Sequence, residues 1–329
     1  MGDIGGTKTR LAIFDQSGSR VQAIGSMVTL ASQDFASLGE LIKAAQMFDE
    51  SGCDLACFGV AGPVRDNRSR ITNLPWIIDG DRLAQDFGWS DAAVINDLEA
   101  VGWGLERLDD TQLELMYAGD PEIRGNQGIL APGTGLGEAF RVWDGARYRT
   151  HGSEGSHADF GPGNPREQRL QDWLAQQYGH VSWERVVSGP GLAALHEFMV
   201  SQEGRPQPGW LAEAKAEGDA AAAIGDAAVA GTDEVCAEAV QWFCALLGAE
   251  AGNQALKVMA TGGVFLGGGI PPRLLEPLKA GAFLKRFVDK GRMGHVLEAI
   301  PVTVVLDDRV ALRGAADFGL WKAGEDPSR

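Results

Sequence analysis

Cysteines, basic residues and long apolar runs are scarce in this sequence, and each scarcity excludes a class of protein. None of the four cysteines forms a pair with the Cys-x-x-Cys spacing of a zinc or redox site, so no cysteine-based metal centre is expected. The apolar runs are too short or too interrupted to cross a membrane, and we expect no signal peptide. These features together predict a protein of the reducing cytoplasm.

Basic residues are outnumbered by acidic ones, 29 to 45, which gives a net charge of −16 at pH 7. Nucleic-acid binding relies on clustered Lys and Arg, so this balance argues against nucleic acid and, less strongly, against an anionic membrane surface. A nucleotide is not excluded, because backbone amides in a glycine-rich loop can hold phosphates without net protein charge. Glycine is abundant, since 45 residues are about twice the share expected from average usage.

Strands and helices alternate along the first third of the chain. Residues 9–14, 55–60 and 92–95 have the apolar patterns of strands, and helical patterns lie between and after them. This alternation predicts an α/β fold with a substantially parallel sheet. The second half is mostly helical, and its alanine-rich stretch 211–230 is predicted to be a solvated helix.

Two segments of the chain share one design. GDIGGTKTRLAIFDQSG (2–18) and APGTGLGEAFRVWDG (131–145) each contain a glycine-threonine turn, a short strand, and then Asp and Gly closing a hairpin. Two copies of one supersecondary unit suggest two related lobes, each contributing a phosphate loop to a cleft between them.

The first of these turns contains Asp3, Gly5, Gly6 and Thr7. Adjacent glycines allow a tight turn with exposed amides, Thr7 adds a hydroxyl donor, and Asp3 could hold Mg²⁺ through water. A plain hairpin turn is the alternative. A Walker-type P-loop is excluded, because its last glycine is missing and the residues that follow have a strand pattern where a P-loop needs a helix.

The second turn and a third glycine cluster complete the candidate nucleotide site. The second turn is followed by a strand, whereas a dinucleotide-binding loop would open a helix, so a phosphate-gripping hairpin is favoured. The third cluster precedes a predicted helix and would let a flat ring such as adenine approach the backbone closely. The nucleotide-binding residues predicted from these two clusters are Gly133, Thr134, Gly135, Gly267, Gly268 and Gly269.

Seven motifs, in matching order and spanning nearly the whole chain, resemble the bacterial glucokinase family of the hexokinase/actin superfamily. They are DIGGT, VINDLEAVGWGL, APGTGLG, GSEGSHADFGP, WERVVSGPGL, LGGGI and DKGRM. The resemblance implies an α/β, actin/hexokinase-like (ribonuclease H-like) two-lobed fold with a central cleft. We expect a small α/β lobe from residues 1–107 plus 308–329 and a large α+β lobe from residues 108–307.

The same resemblance implies the roles of five residues. Asp97 is implied to be the catalytic base, and Asn96, Asp97, Glu154, His157 and Glu184 match the sugar-binding positions. A carboxylate at the end of a strand can orient a sugar hydroxyl and take its proton during phosphoryl transfer. Asn96 and Asp97 could instead merely cap the helix that follows, and both roles can hold together.

The resemblance further implies ATP-dependent phosphorylation of glucose to glucose 6-phosphate, the first step of glycolysis, with lobe closure on sugar binding. ATP and Mg²⁺ are the implied cofactors, and a homodimer the implied assembly. The alternatives are a kinase of another hexose or amino sugar, a donor other than ATP such as polyphosphate, and a non-catalytic sugar sensor. Asp97 argues against the sensor, because a pure binder needs no positioned base.

Two features depart from the family pattern. Only Met1 and Gly2 precede Asp3, so a central strand would be nearly absent and its neighbours would lack ladder partners. Either the start of the sequence is misassigned or truncated, or the sheet tolerates the loss. Lys8 and Thr9 resemble instead a related kinase group that includes sugar-sensing repressors. The cysteine-rich zinc motif of that group and the helix-turn-helix of its repressors are not found in this sequence.

Overall fold

The chain divides into two compact units. The structure, a computed structural model, describes residues 1–17, 20–47, 52–71, 74–216, 218 and 220–324. Unit 1 comprises Met1–Asp109, Tyr148–Gly152 and Asp307–Arg329, and unit 2 comprises Asp110–Arg147 and Ser153–Leu306. That these units act as lobes closing on each other remains a prediction.

The described residues form short strands and helices of very different lengths. The strands are β1 Gly2–Ile4, β2 Lys8–Ser17, β3 Arg20–Ala31, β4 Leu55–Val60, β5 Val64–Arg65, β6 Arg68–Arg70, β7 Ile77–Asp79, β8 Asp91–Asn96, β9 Leu113–Tyr117, β10 Gln127–Pro132, β11 Leu136–Trp143, β12 Tyr148–Ser153, β13 Gly263–Leu266 and β14 Val302–Val305. The helices are α1 Leu38–Ala44, α2 Gly80–Phe87, α3 Asp97–Gly104, α4 Pro165–Tyr178, α5 Gly189–Glu203, α6 Gly209–Ala216, α7 Ala220–Ala230, α8 Glu234–Val258, α9 Leu275–Lys279, α10 Ala282–Val288, α11 Gly294–Glu298 and α12 Val310–Lys322.

Unit 1 is built on a five-stranded sheet in the order β3-β2-β1-β4-β8. The central strand β1 has only three residues, yet it pairs antiparallel with β2 and parallel with β4. The sequence predicted that the neighbours of this strand would lose their ladder partners. The short strand keeps partners on both sides, because residues 2–4 lie opposite 9–11 on one edge and 58–60 on the other.

The helices α3 and α12 pack closely in unit 1. A Cβ added at Gly314 of α12 would overlap the carbonyl oxygen of Ala100 in α3, so only glycine allows this approach. Trp103 of α3 packs edge-on against Phe318 of α12, with ring centroids 5.4 Å apart. These contacts fix the axis of α3 and therefore the position of its first residue.

Unit 2 contains the strands β11-β10-β13-β14-β9, paired in that order. Its core surrounds the 25-residue helix α8, which is buried along most of its length and approaches α10 closely at Gly248 and Gly252. Each unit thus has an antiparallel hairpin whose first strand pairs in parallel with a later one, β1/β2 with β4 and β10/β11 with β13. The predicted α/β class is confirmed. No helix among the described residues has the length and apolar character needed to cross a membrane.

Candidate active site

Asn96 and Asp97 lie where β8 ends and α3 begins. Asn96 Oδ1 accepts hydrogen bonds from the amides of Leu98 at 3.0 Å and Glu99 at 3.3 Å, and its Nδ2 donates to the Gly62 carbonyl at 3.2 Å. Asn96 is therefore the N-cap of α3, and Asp97 is the first helical residue. Asp97 Oδ1 accepts from the Leu98 amide at 2.9 Å. A carboxylate in the first turn of a helix interacts favourably with the positive end of the helix dipole.

A second acid follows closely on α3. Burial raises the pKa of Glu99 to about 7, against a smaller opposing effect of a hydrogen bond with the backbone of Asn96. The first turn of α3 therefore carries two carboxyl groups in different environments, Asp97 at the end of the strand and Glu99 half-buried.

The first glycine-threonine turn is held in place by Ser32. The Gly5 amide donates to the Lys8 carbonyl at 3.0 Å, which closes the turn between β1 and β2. Ser32 Oγ donates to the Gly5 carbonyl at 2.8 Å, and the Ser32 amide donates to the Thr7 carbonyl at 2.9 Å. These bonds use the carbonyl oxygens of the turn, and they fix its backbone from the strand side.

Asp3 is the residue from which a Mg²⁺ site was predicted. Burial raises the pKa of its carboxyl, and the charge of Arg10, with Nη1 3.8 Å from Asp3 Oδ2, opposes this. Within the part of the chain that the structure describes, no three His, Cys, Asp or Glu side chains cluster as metal ligands. A single carboxylate fits Mg²⁺ that keeps several waters and takes its other ligands from phosphates.

In unit 2 the second and third glycine clusters lie against each other. The Gly267 amide donates to the Leu130 carbonyl at 2.8 Å, and the Ile270 amide donates to the Pro132 carbonyl at 3.3 Å. Gly268 has a φ of +79°, and a Cβ there would lie 2.6 Å from the Pro132 oxygen. Glycine is needed at 268 both for its backbone conformation and for this close approach.

A cavity of about 440 Å³ opens beside these clusters, within the size range of small-molecule sites. Its lining consists of backbone-exposing glycines, alanines, branched apolar side chains and one Asp–Arg pair. It is formed by Gly133, Thr134, Gly189, Pro190, Leu192, Ala193, Gly218, Ala220, Ala221, Ala222, Gly225, Asp226, Gly269, Ile270, Arg273 and Leu274. Of the residues predicted to bind nucleotide, Gly133, Thr134 and Gly269 line the cavity.

The wall formed by α7 is the part of this cavity that the sequence did not predict. The stretch 211–230 was expected to be a solvated helix, and for α7 this is wrong. Ile224 and Ala227 are buried, while the start of α7 faces the cavity. Small side chains at 220–222 leave room for a ligand, and that signal was available in the sequence.

Glu154 precedes a single turn of 3-10 helix, Gly155–His157, and His157 is the last residue of that turn. Both side chains are exposed, and Glu154 Oε2 lies 3.7 Å from His157 Nε2. The Gly155 amide donates to Ser153 Oγ at 3.0 Å, which fixes the start of the turn. Two adjacent polar groups with acceptor and donor character are therefore presented together.

Glu184 lies beside this turn in unit 2. The Phe160 amide donates to the Val181 carbonyl at 2.9 Å, and the Trp183 amide donates to the Ala158 carbonyl at 3.2 Å. This pairing brings the segment before Glu184 alongside the segment after His157. The structure thus brings Glu154, His157 and Glu184 together with the second and third glycine clusters in unit 2. Asp3, Gly5, Gly6, Thr7, Asn96 and Asp97 belong to unit 1.

Glu184 also contacts the second glycine turn. Its Oε2 accepts a hydrogen bond from the Leu136 amide at 2.9 Å. A Cβ added at Gly135 would overlap the same oxygen, so the turn is packed directly on the carboxylate. The residue predicted for the sugar and the turn predicted for the phosphates are therefore in contact.

A buried acid pair lies behind the Glu154–His157 turn. Glu138 of β11 and Glu250 of α8 are both almost wholly buried, and a Cβ added at Gly155 would overlap Glu138 Oε2. Burial, followed by the nearby Glu250 carboxylate, raises the pKa of Glu138 to about 8. Lys257 Nζ, 3.7 Å from Glu250 Oε1, partly balances the pair.

Lys290, in the DKGRM motif, supplies a second positive charge near the Glu138–Glu250 pair. Lys290 Nζ donates to Asn253 Oδ1 at 2.6 Å, and Asn253 Nδ2 donates to Glu250 Oε2 at 2.8 Å. Burial lowers the pKa of Lys290 to about 8. The sequence identified this motif without a role, and the structure gives it one as support for the buried acids.

Known proteins with similar sequences match this chain over nearly its whole length. A family model described as Glucokinase matches residues 1–320. The glucokinase of Synechocystis sp. is 40% identical over 96% of this chain and 96% of its own. That of Nostoc punctiforme is 38% identical, again over 96% of each chain.

Solved structures show the same fold. A glucokinase from an Antarctic psychrotroph, 33% identical, superimposes with a TM-score of 0.78 and covers 96% of each chain. A ROK family glucokinase from Streptomyces griseus, solved with glucose and AMPPNP, has 21% identity and a TM-score of 0.66, covering 97% of this chain and 98% of its own. The predicted hexokinase-like fold is confirmed by these neighbours.

Proposed function

We propose that this chain, which belongs to the glucokinase family, transfers the γ-phosphoryl group of ATP to glucose and produces glucose 6-phosphate. Family membership, from a match to residues 1–320 and 40% identity to a curated glucokinase, supports an enzyme of this class. One observation carries the proposal: a cavity of nucleotide size adjoins a turn that contacts Glu184, beside Glu154 and His157.

The cavity is the proposed site of the ATP base and ribose. Ile270 and Leu274 on one side and the alanines of α7 on another offer flat apolar contact, as a purine ring requires. Gly133 and Thr134 would then meet the phosphates, whose charge the backbone amides of a hairpin turn can hold. Polyphosphate has no base, so an apolar cavity of this kind favours ATP as the donor.

Glucose is proposed to bind through the side chains of Asn96, Glu154, His157 and Glu184. A hexose presents several hydroxyls that each donate and accept, and this set supplies carboxylates, an amide and an imidazole to match them. A sugar kinase must hold one hydroxyl in line with the phosphoryl group, because correct orientation contributes more to the rate than affinity alone.

Asp97 is proposed to accept the proton of the reacting hydroxyl. Its carboxylate is held at the first residue of α3 by the bond from the Leu98 amide, which fixes the orientation that a base needs. Mg²⁺, bound through water to Asp3 and to the phosphates, would supply charge neutralisation during transfer. Asn96 would hold Asp97 in place, because it caps the same helix and anchors it to the Gly62 carbonyl.

The test is a coupled assay of the purified protein over a panel of sugars and donors. With ATP as the donor, we expect glucose to give a higher kcat/KM than mannose, fructose or N-acetylglucosamine. With glucose as the acceptor, we expect ATP to give a higher kcat/KM than polyphosphate. A higher kcat/KM for another sugar would move the assignment to the alternative kinase, and binding of glucose without turnover would identify a sensor.

Assembly and location are extensions of the same proposal. A homodimer is expected from the family alone, and light scattering at micromolar concentration tests it, with a monomer as the contradicting result. A cytoplasmic location is likewise proposed from the sequence, and fractionation of cells producing the protein would test it.

A further inference from the structure

The two oxygens of the Glu184 carboxylate have different proposed partners. Oε2 accepts the Leu136 amide at 2.9 Å and so holds the first residue after the glycine-threonine turn. Oε1 is the oxygen that remains for a sugar hydroxyl. A charge-assisted bond of this kind is among the stronger ones in proteins, so the turn depends on Glu184 for its position.

A second link joins the same two segments. The Gly189 amide donates to the Gly133 carbonyl at 2.8 Å, and Ser188 Oγ donates to the Glu184 carbonyl at 2.7 Å. Gly133 and Gly189 both line the cavity. The turn is therefore anchored at its start by Gly189 and at its end by Glu184, and only the second anchor is a side chain that also serves the sugar.

We propose that Glu184 is a positioning residue for the nucleotide as well as a sugar ligand, and that it couples the two binding sites. A glucose hydroxyl on Oε1 would fix the rotamer that keeps Oε2 on the Leu136 amide. The phosphate turn would then be better ordered when sugar is present. The coupling is reciprocal, since each ligand must change the affinity for the other by the same factor. The inference rests on the proposed function.

The contact between Glu184 and the glycine-threonine turn can also be tested by substituting Gly135. A side chain at this position would displace Glu184 Oε2, because a Cβ has no space beside that oxygen. Thr134, its neighbour, lines the cavity instead. Thr134→Ala should therefore affect the nucleotide alone, whereas Gly135→Ala should affect the sugar as well.

The first experiment measures AMPPNP binding by calorimetry, with Mg²⁺ and without any sugar. Glu184→Ala should weaken it by about 3–30-fold, the effect of losing part of one charged hydrogen bond. Electrostatic repulsion alone predicts tighter AMPPNP binding by Glu184→Ala, because removing a carboxylate near the phosphate turn should strengthen the binding of an anion. A loss therefore identifies positioning rather than charge.

Two variants serve as controls for this experiment. Glu184→Gln keeps an acceptor oxygen for the Leu136 amide, so AMPPNP affinity should return to the wild-type level or above it. Glu154→Ala removes the other proposed sugar carboxylate, whose side chain lies beside His157, and should leave AMPPNP affinity within about twofold of wild type. Both variants should weaken glucose binding.

The second experiment measures glucose binding without nucleotide. Gly135→Ala should weaken it by about 3–30-fold, because Glu184 is displaced, whereas Thr134→Ala should change it by less than about twofold. This comparison remains informative if Glu184→Ala does not fold, which thermal melting of each variant would reveal.

Unchanged AMPPNP affinity in folded Glu184→Ala would overturn the coupling, and so would equal glucose affinities for the Gly135 and Thr134 variants. Failure of the proposed function is separate and visible in the wild type. If wild-type protein binds AMPPNP and glucose but does not phosphorylate glucose, the function is wrong while the coupling can still be measured.

Discussion

The two glycine-threonine turns each join a pair of antiparallel strands, but different residues hold them. In unit 1 the turn between β1 and β2 is held by Ser32, a neutral residue that bonds the carbonyl groups of Gly5 and Thr7. In unit 2 the turn between β10 and β11 is held by Glu184, a charged residue beside Glu154 and His157. A repeated sequence pattern therefore produces an antiparallel hairpin twice, while a different segment of the chain contacts each hairpin.

The largest effect is expected at Asp97, the proposed base in unit 1, and it should fall on turnover more than on glucose binding, for which most of the proposed residues lie in unit 2. Asp97→Ala should lower kcat by about 10² to 10⁴, the range for loss of general-base catalysis. Glucose affinity should fall less, because Asn96, Glu154, His157 and Glu184 are retained. Steady-state kinetics with calorimetry measures both quantities.

Glu184→Ala should show the opposite balance, with a larger loss of glucose affinity and a smaller loss of kcat. Near-normal turnover by Asp97→Ala would remove it from the mechanism, and another base would have to be sought, with the half-buried Glu99 the nearest acid along the chain.

Removing the hydroxyl of Ser32 should lower the stability of the protein. Ser32→Ala removes the bonds of its hydroxyl to the Gly5 carbonyl, which is partly buried, and to Thr9 Oγ1, which is buried, and should lower the free energy of unfolding by about 1–3 kcal/mol. Ser90→Ala is a matched control, because its hydroxyl bonds a backbone carbonyl at an exposed position and should cost less than about 1 kcal/mol. Denaturant titration compares them, and equal costs would show that Ser32 does not hold the turn.

A smaller, pH-dependent effect is expected from the acid pair behind Gly155. The pKa of Glu138 is raised to about 8 in the folded protein, so between its ordinary value of 4.5 and about pH 8 the folded state binds more protons than the unfolded state. Stability contributed by this group is therefore present at low pH and lost as the pH rises towards 8.

The side chain introduced by Glu138→Gln cannot ionise, so this variant should not lose stability as the pH rises towards 8. Its melting temperature relative to wild type should increase from pH 5 to pH 8 by several degrees, since about 1 kcal/mol corresponds to roughly 2–4 °C in proteins of 150–250 residues. Glu122→Gln, which removes an exposed acid on the same unit, is the control for the same substitution at the surface. A constant difference for Glu138→Gln would mean that the pair does not retain its proton.

The sequence predicted individual elements better than the contacts between them. The Asn96–Asp97 pair at the end of a strand, the capped helix after it and both hairpins could be recognised locally, because capping and turn chemistry depend on adjacent residues. The hydrogen bond from Leu136 to Glu184 joins residues 48 positions apart, and nothing local indicates it. The role of α7 was missed for the same reason, since what faces an alanine-rich helix depends on tertiary packing.

The central claim is that this protein transfers a phosphoryl group from ATP to glucose, and isotope transfer tests it most directly. Wild-type protein is incubated with γ-labelled ATP and glucose, and the products are separated. We expect label in glucose 6-phosphate, little label in inorganic phosphate, and almost no release when glucose is omitted. Label released as inorganic phosphate at the same rate with and without glucose would contradict it.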